Sequence, residues 1–271
     1  MTNGEDVNDP MKYVIVERRD DVTTIWLNHP ERMNVLSRRM MEELTAACTD
    51  VAASDATGVI LAAKGKIFSA GHDFAEMAGD DLTGSRALFA TCTTMMNAFQ
   101  AMPQPVIARV HGLATGAGCQ LVATVDLAVA AEEASFATPG GKGGLFCTTP
   151  LVAVGRLIGR RRALEMGMSG DAIDAATAAA WGLVNQVVPA AALDEATDAL
   201  VRRVTRGSIE SKAIGKEAFY AQIDLDQPKA YALAREVMAA AALTEDAQEG
   251  ITAFIEKRAP RWRGRDETVA R

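Results

Sequence analysis

Short apolar runs constrain the fold of this chain more than any other feature of its sequence. They occupy residues 58–65, 105–112 and 126–132. Runs of this length are typical of β-strands that are buried on both faces. A helical segment capped by Ser37 precedes the first run, and another, from about residue 85 to Met102, separates the first run from the second. This alternation predicts an α/β fold with buried strands.

The two ends of the chain differ from its alternating middle. Residues 12–27 form two β-rich runs around a charged turn, which predicts a hairpin. Beyond about residue 191 the periodicity is helical and no further strand is expected. We therefore predict an α/β core over residues 1–195 and a helical oligomerisation region over residues 196–271. The apolar run 238–243 of that region can pack on the core or on another subunit.

Composition indicates a globular protein of a reducing compartment. The 271 residues include 28 basic and 35 acidic side chains, a net charge of −7, which argues against nucleic acid or an anionic membrane as partner. The four cysteines form no CxxC motif, so we expect neither a metal site nor a disulfide framework. The N-terminus lacks the apolar segment of a signal peptide, and no run approaches the ~18 apolar residues of a membrane span. We expect a cytoplasmic protein without membrane insertion.

Two loops that follow predicted strands are rich in small residues. They are residues 68–74 and residues 111–120, and a helix begins near each. Glycine and alanine let backbone N–H groups approach a ligand closely, as an oxyanion hole or an anion site requires. Each loop taken alone is also consistent with a tight turn. The second loop lacks the third glycine of a dinucleotide-binding GxGxxG motif, so that function is disfavoured.

Taken together and in this order, these loops resemble those of the crotonase superfamily, also called the enoyl-CoA hydratase/isomerase family. The resemblance covers nearly the whole chain, through residues 27–36, 65–77, 103–139, 181–189 and 249–262. It implies a crotonase-type spiral of ββα units with a C-terminal helical trimerisation region. It also implies a homotrimer, or a hexamer built from two trimers.

The resemblance further implies a site for the thioester of coenzyme A, bound as substrate or ligand and not as a resident cofactor. The backbone N–H groups of His72 and Ala117 would bind the thioester oxygen and stabilise an enolate. Lys257, from its own or a neighbouring subunit, would reach a phosphate of coenzyme A. The residues that would contact the acyl-CoA are Met33, Lys66, Ala70, Gly71, Asp73, Phe74, Gly116, Phe146 and Lys257. The carboxylates Asp73 and Asp126 can also be helix caps or structural groups, and Met40, Met41, Met95 and Met96 read as core residues.

The sequence departs from a family hydratase at both positions that carry its catalytic glutamates. These positions are Gln120 and Gly140. A general acid or base contributes ~10²–10⁴-fold to a rate, so we expect weak hydration or none. We also expect that restoring both glutamates recovers more hydration than restoring either alone.

Several activities remain open at this stage. The hole could serve isomerisation, decarboxylation or thioester cleavage, with His72 or Cys147 in place of the missing glutamates. Phe146 stands where a similar decarboxylase has a tyrosine. Residual hydratase activity in fatty-acid oxidation is a second possibility. A non-catalytic acyl-CoA carrier or regulator is a third.

Overall fold

The computed structural model describes residues 11–263, and the strands in this range form two sheets. The strands are β1 (Val14–Arg19), β2 (Val22–Leu27), β3 (Gly58–Ala63), β4 (Val106–Val110), β5 (Ala114–Thr115), β6 (Leu127–Ala131), β7 (Ser135–Ala137), β8 (Ile173–Asp174) and β9 (Gln186–Val188). The larger sheet has the order β1-β2-β3-β4-β6-β9, and the smaller has the order β5-β7-β8. The predicted hairpin is confirmed as β1 and β2, and the other neighbours in the larger sheet are parallel.

Helices cover both faces of the larger sheet. They are α1 (Arg38–Ala52), α2 (Leu82–Ala101), α3 (Ala117–Thr124), α4 (Pro150–Ile158), α5 (Arg160–Ser169), α6 (Ala175–Trp181), α7 (Leu193–Val204), α8 (Ile209–Gln222), α9 (Gln227–Ala241) and α10 (Glu245–Glu256). Alternate residues of β3 serve two separate cores. Val59 and Leu61 pack with α1 and α2, whereas Ile60 and Ala62 pack with α7. This double burial explains why β3 is apolar throughout and confirms the α/β class.

The core between the sheet and helices α1 and α2 contains the methionines singled out in the sequence. Met40, Met41 and Met95 are fully buried, and Met96 is nearly so. Flexible thioether side chains fill irregular core space well. Their predicted role as core residues is confirmed.

Helix α2 begins three residues earlier than the sequence suggested. Asp81 provides the reason, because its side chain accepts a hydrogen bond from the backbone N–H of Gly84 at 2.8 Å. Helix α1 has the predicted cap, in which Ser37 Oγ accepts from the N–H of Met40 at 3.2 Å. Both caps satisfy amide groups that have no partner inside the helix.

The C-terminal helices are attached to the core in two ways. Helix α7 packs directly on the sheet through Leu200 and Val201, and the predicted boundary after residue 195 falls inside it. Helices α8 and α9 have no fully buried residue. Lys216 of α8 instead forms an ion pair with Asp126 at 2.7 Å, and Tyr220 donates to the same carboxylate at 2.8 Å. Asp126 therefore holds α8 against the core.

Large apolar side chains on α9, on α10 and on the turn between them remain exposed in the single chain. Met238, Leu243 and Phe254 are 73%, 79% and 85% exposed. Within residues 11–263, no helix combines the length and the apolar character that a membrane span needs.

Candidate functional site

The two small-residue loops lie side by side at the ends of their strands. Phe68 donates a backbone hydrogen bond to Leu113 O at 2.9 Å, and Thr115 donates to Ser69 O at 3.0 Å. A Cβ on Gly118 would lie 2.6 Å from Ser69 O. A side chain at position 118 would therefore separate the loops.

A third segment holds the first loop from its other side. Ala70 N–H donates to Met33 O at 3.0 Å, and Leu36 N–H donates to Gly71 O at 2.7 Å. The side chain of Ser69 donates to Asn34 O at 2.8 Å and is itself buried. Ser69 and Asn34 were not among the residues expected from the sequence. Both are polar and fully buried, a combination that their local sequence does not indicate.

Gly71 brings the two loops into backbone contact. Its φ is +83°, and a Cβ there would lie 2.8 Å from Thr115 O and 3.0 Å from the backbone nitrogen of Ala117. The residue after this contact is His72, so the N–H groups of His72 and Ala117 belong to adjoining stretches of backbone. Within the described chain neither N–H has an acceptor. Two unpaired donors beside the first turn of α3 can stabilise a developing oxyanion.

Gly116 sets the direction of α3. It has φ +57° and ψ −121° as the N-cap residue, and its N–H donates to Ala137 O at 2.9 Å. Helix α3 therefore begins immediately after the turn, with its N-terminal dipole at the site. Ala117 is the first helical residue, where a free N–H is expected.

The His72 imidazole is held in a neutral state. Its ring packs edge-on against Phe89 with the ring centres 5.4 Å apart, and its Nε2 is buried without a partner among the described residues. Burial lowers the pKa of His72 to about 4. An imidazole of this pKa is uncharged at neutral pH, so it has no imidazolium proton to donate.

Neither of the two positions at which the resemblance places a hydratase glutamate carries an ionisable group. Gln120 lies in the first turn of α3 and is 6% exposed. At position 140, a Cβ would lie 2.1 Å from Leu145 O and 2.8 Å from Cys147 Sγ. Because backbone and sulfur fill this space, Gly140→Glu cannot be accommodated unless the loop moves. The sequence led us to expect that glutamates at residues 120 and 140 together would recover hydration. The structure leaves no space for the glutamate at residue 140.

The loop that fills this space is closed by its own hydrogen bonds. Leu145 N–H donates to Gly140 O at 2.9 Å, and Gly140 N–H donates to Cys147 Sγ at 3.2 Å. Burial raises the pKa of the Cys147 thiol and raises that of Cys119 to about 12. Both thiols are protonated at neutral pH, which is the less nucleophilic state.

Two of the residues expected to contact coenzyme A border one cleft. Met33 and Lys66 line a cavity of about 430 Å³ together with Pro30, Glu31, Asn34, Gly65 and Ile67. Ala70 and Gly71 continue from this cleft towards the two free N–H groups. Phe74 is exposed on the next turn. Met33 and Lys66 therefore border one cleft, whereas Ala70, Gly71 and Phe74 do not line it.

Three other expected contacts have different surroundings. Asp73 accepts from Ala75 N–H at 3.0 Å and pairs with Arg32 at 3.0 Å, so it has structural partners. Phe146 is partly exposed on the loop that covers Gly140. Lys257 ends α10 with φ +55°, and within residues 11–263 no hydrogen bond joins its side chain to the cleft. In the described range, no group of three or more potential ligands is placed to hold a metal ion.

Comparison with known proteins establishes the class. A family model described as enoyl-CoA hydratase/isomerase matches residues 17–265. The chain belongs to this family, and the resemblance and the crotonase fold expected from the sequence are confirmed. Enoyl-CoA hydratase domain-containing protein 3 of Rattus norvegicus, mitochondrial by its name, is 42% identical over 247 residues, covering 90% of this chain and 82% of the rat protein.

Solved structures give the same result. An enoyl-CoA hydratase of Mycobacterium smegmatis has a TM-score of 0.90 and 44% identity, covering 93% of this chain and 99% of that one. The human enoyl-CoA hydratase domain-containing protein 3 has a TM-score of 0.89 and 41% identity, covering 93% and 100% of the two chains.

Proposed function

We propose that this protein binds acyl-CoA thioesters and stabilises a thioester enolate between the backbone N–H groups of His72 and Ala117, within fatty-acid or acyl-CoA metabolism. The close approach of Gly71 to Ala117 carries the proposal, because it brings two unpaired donors together. Membership of the enoyl-CoA hydratase/isomerase family supports the choice of ligand. The cleft at Met33 and Lys66 is the proposed route for the coenzyme A portion.

The same proposal includes little or no hydration of enoyl-CoA. Water addition needs one group to remove a proton from water and another to protonate Cα. Gln120 cannot accept a proton at neutral pH, and Gly140 has no side chain. Burial lowers the pKa of His72 to about 4, so its imidazole is a weak base without an acidic form at pH 7, and burial raises the pKa of the Cys147 thiol.

A non-catalytic acyl-CoA carrier or regulator is the second candidate. Gln120 does not titrate, burial makes the His72 imidazole a weak base with a pKa of about 4, and burial keeps the Cys147 thiol protonated by raising its pKa. These properties favour a carrier, because none of the three groups is suited to abstract a proton from Cα at pH 7. Isomerisation and thioester cleavage also need a base, so the same observation disfavours them. Decarboxylation differs, since loss of carbon dioxide forms the enolate without removing a proton.

Calorimetry on the full chain tests the acyl-CoA site. We expect butyryl-CoA to bind more tightly than free coenzyme A, and Ala117→Pro to reduce this difference. Proline is tolerated at the first position of a helix, where it removes only the free N–H. Ala175→Pro, at the first position of α6, is the matched control. Equal affinities of wild type for butyryl-CoA and free coenzyme A would show that no thioester hole exists.

Assembly into a trimer, or a hexamer of two trimers, is part of the proposal. The exposed apolar side chains of α9 and α10 support it, because a single chain rarely leaves so many uncovered. In such an assembly Lys257 would reach coenzyme A on its own or a neighbouring subunit. Sedimentation at micromolar concentration tests this, and a monomer would contradict it.

We further propose a cytoplasmic location and no resident cofactor. The cysteines Cys48, Cys92, Cys119 and Cys147 are all free thiols, which fits a reducing compartment. Fractionation of cells that produce the full-length protein tests the location.

A further inference from the structure

Two hydrogen bonds orient the peptide units on either side of Gly71. The N–H of His72 belongs to the same planar unit as Gly71 O, and that oxygen accepts from Leu36 N–H at 2.7 Å. The preceding unit carries Gly71 N–H, which donates to Ser69 Oγ at 3.2 Å. A backbone group therefore fixes one unit, and a side chain fixes the other.

The bond to Ser69 selects between two orientations of the Ala70–Gly71 peptide unit. Turning this unit over would replace its N–H by Ala70 O and make the φ of Gly71, which is +83°, negative. Glycine populates both signs of φ about equally, so its own backbone does not favour either orientation. The choice therefore depends on what faces the unit, and Ser69 Oγ is the group bonded to it.

The Ser69 hydroxyl is restricted to the role of acceptor towards Gly71. A serine hydroxyl has a single proton, and Ser69 donates it to Asn34 O at 2.8 Å. Only lone pairs of Ser69 Oγ are then left to face Gly71. They attract an N–H and repel the carbonyl oxygen of the overturned unit, so the bond to Asn34 favours the orientation with positive φ.

The acceptor of the serine proton is itself held in place. Asn34 is fully buried and has a φ of +50°. Its side chain accepts from His29 N–H at 2.8 Å and donates to Lys64 O at 2.8 Å and to Ile67 O at 3.2 Å. Both amide hydrogens and the amide oxygen thus have partners, which keeps Asn34 O directed at Ser69.

We propose that Ser69 is a positioning residue of the oxyanion hole. By accepting from Gly71 N–H while donating to Asn34 O, it holds the turn that directs His72 N–H towards the thioester oxygen. The inference rests on the proposed function and adds a buried side chain to it. The donors remain backbone groups, and Ser69 acts on the chain geometry that directs them.

Titration calorimetry with butyryl-CoA and free coenzyme A tests the inference. We expect Ser69→Ala to lower the preference for butyryl-CoA over free coenzyme A about fivefold, or to equality, as the loss of one net hydrogen bond allows. Affinity for free coenzyme A should change by less than about twofold. A role in stability alone would lower the unfolding temperature and leave the ratio of the two affinities unchanged.

The matched control is Ser54→Ala, in the turn between α1 and β3. Ser54 Oγ donates to Val51 O at 2.7 Å and accepts from Ala56 N–H at 3.2 Å, which is the same pair of bonds that Ser69 makes. This variant should keep the wild-type preference. Ser69→Cys provides a second variant, because sulfur is a weaker acceptor, and its preference should lie between those of wild type and Ser69→Ala.

Thermal unfolding shows whether each variant is folded, and Ser69→Cys takes the place of Ser69→Ala if the latter fails to fold. A wild-type preference in the folded Ser69 variant overturns this inference alone. An equal loss of preference in Ser54→Ala also overturns it, because the effect would not be specific to the hole. Butyryl-CoA binding by wild type no tighter than that of free coenzyme A overturns the proposed function, and the inference with it.

Discussion

The backbone half and the side-chain half of the site differ sharply. The backbone half consists of the paired loops around Gly71 and Ala117, and its donors depend on chain geometry and not on the side chains of the donor residues. The side-chain half, at Gln120 and Gly140, has no ionisable group at the two positions where the resemblance to a family hydratase places glutamates. Under the proposed function, binding of a thioester depends on the backbone half, and transfer of protons depends on the side-chain half.

The largest expected effect is on hydration, because it needs the side-chain half. We predict that crotonyl-CoA hydration is at least ~10³-fold slower than in a family hydratase with both glutamates, assayed in parallel. The two groups act as a pair, so Gln120→Glu alone should recover little activity. Robust hydration by the unmodified protein, purified free of host hydratase, would contradict this prediction.

A related prediction concerns Gly140, where the structure leaves no space for a side chain. We expect Gly140→Glu, alone or with Gln120→Glu, to lower the free energy of unfolding instead of restoring hydration, because its Cβ would overlap Leu145 O. Gly143→Glu in the same loop is the control, since a Cβ there meets no atom within 4 Å. Full hydration in the double variant would show that the loop moves aside easily.

The second prediction disrupts the backbone half. Gly71→Ala should lower the free energy of unfolding by roughly 3 kcal/mol or more and abolish the preference for butyryl-CoA over free coenzyme A. Its Cβ adds a clash with Thr115 O to the strain of a positive φ. Gly79→Ala separates these causes, because Gly79 has φ +78° but open space around it. The control should lose only about 1–2 kcal/mol and keep its ligand preference.

These contrasts show what the sequence could and could not predict. Apolar runs predicted the buried strands, and β-rich runs around a charged turn predicted the hairpin, because these patterns report burial and chain reversal directly. That the two small-residue loops share a site followed only from the resemblance to the family. The start of α2 at Leu82 was missed because its cap, Asp81, follows another acidic residue in a polar stretch. The block at Gly140 was missed because it arises from Leu145 and Cys147, whose fold over that residue has no local sequence signal.

The third prediction concerns stability and pH. The pKa of His72 is about 4 in the folded state and about 6.5 in an unfolded chain. Below pH 6.5 the unfolded state therefore binds more protons, so stability falls as the pH drops from 6.5 towards 4. Relative to His72→Asn, wild type should lose at most about 3 kcal/mol more over this interval, measured by urea unfolding at several pH values.

Burial also lowers the pKa of His29 and His111, so both contribute in the same direction. Their effects are present in wild type and in His72→Asn alike, and the difference between the two proteins isolates His72. Parallel stability curves for the two proteins between pH 6.5 and 4 would contradict a buried, neutral imidazole.

The smallest expected effect concerns Cys147, whose sulfur fills part of the space a side chain at residue 140 would need. Burial raises its pKa, so the thiolate that reacts with alkylating agents is scarce at neutral pH. We predict that iodoacetamide modifies Cys147 in the folded protein about tenfold more slowly than in urea at pH 7.5, and that the rate rises with pH beyond 9. Cys48, Cys92 and Cys119 are buried and should stay unmodified, which mass spectrometry of digested protein would show. Rapid modification of Cys147 at pH 7 would mean that its thiolate is stabilised. The side-chain half of the site would then contain a nucleophile or base, contrary to the protonated thiol described above.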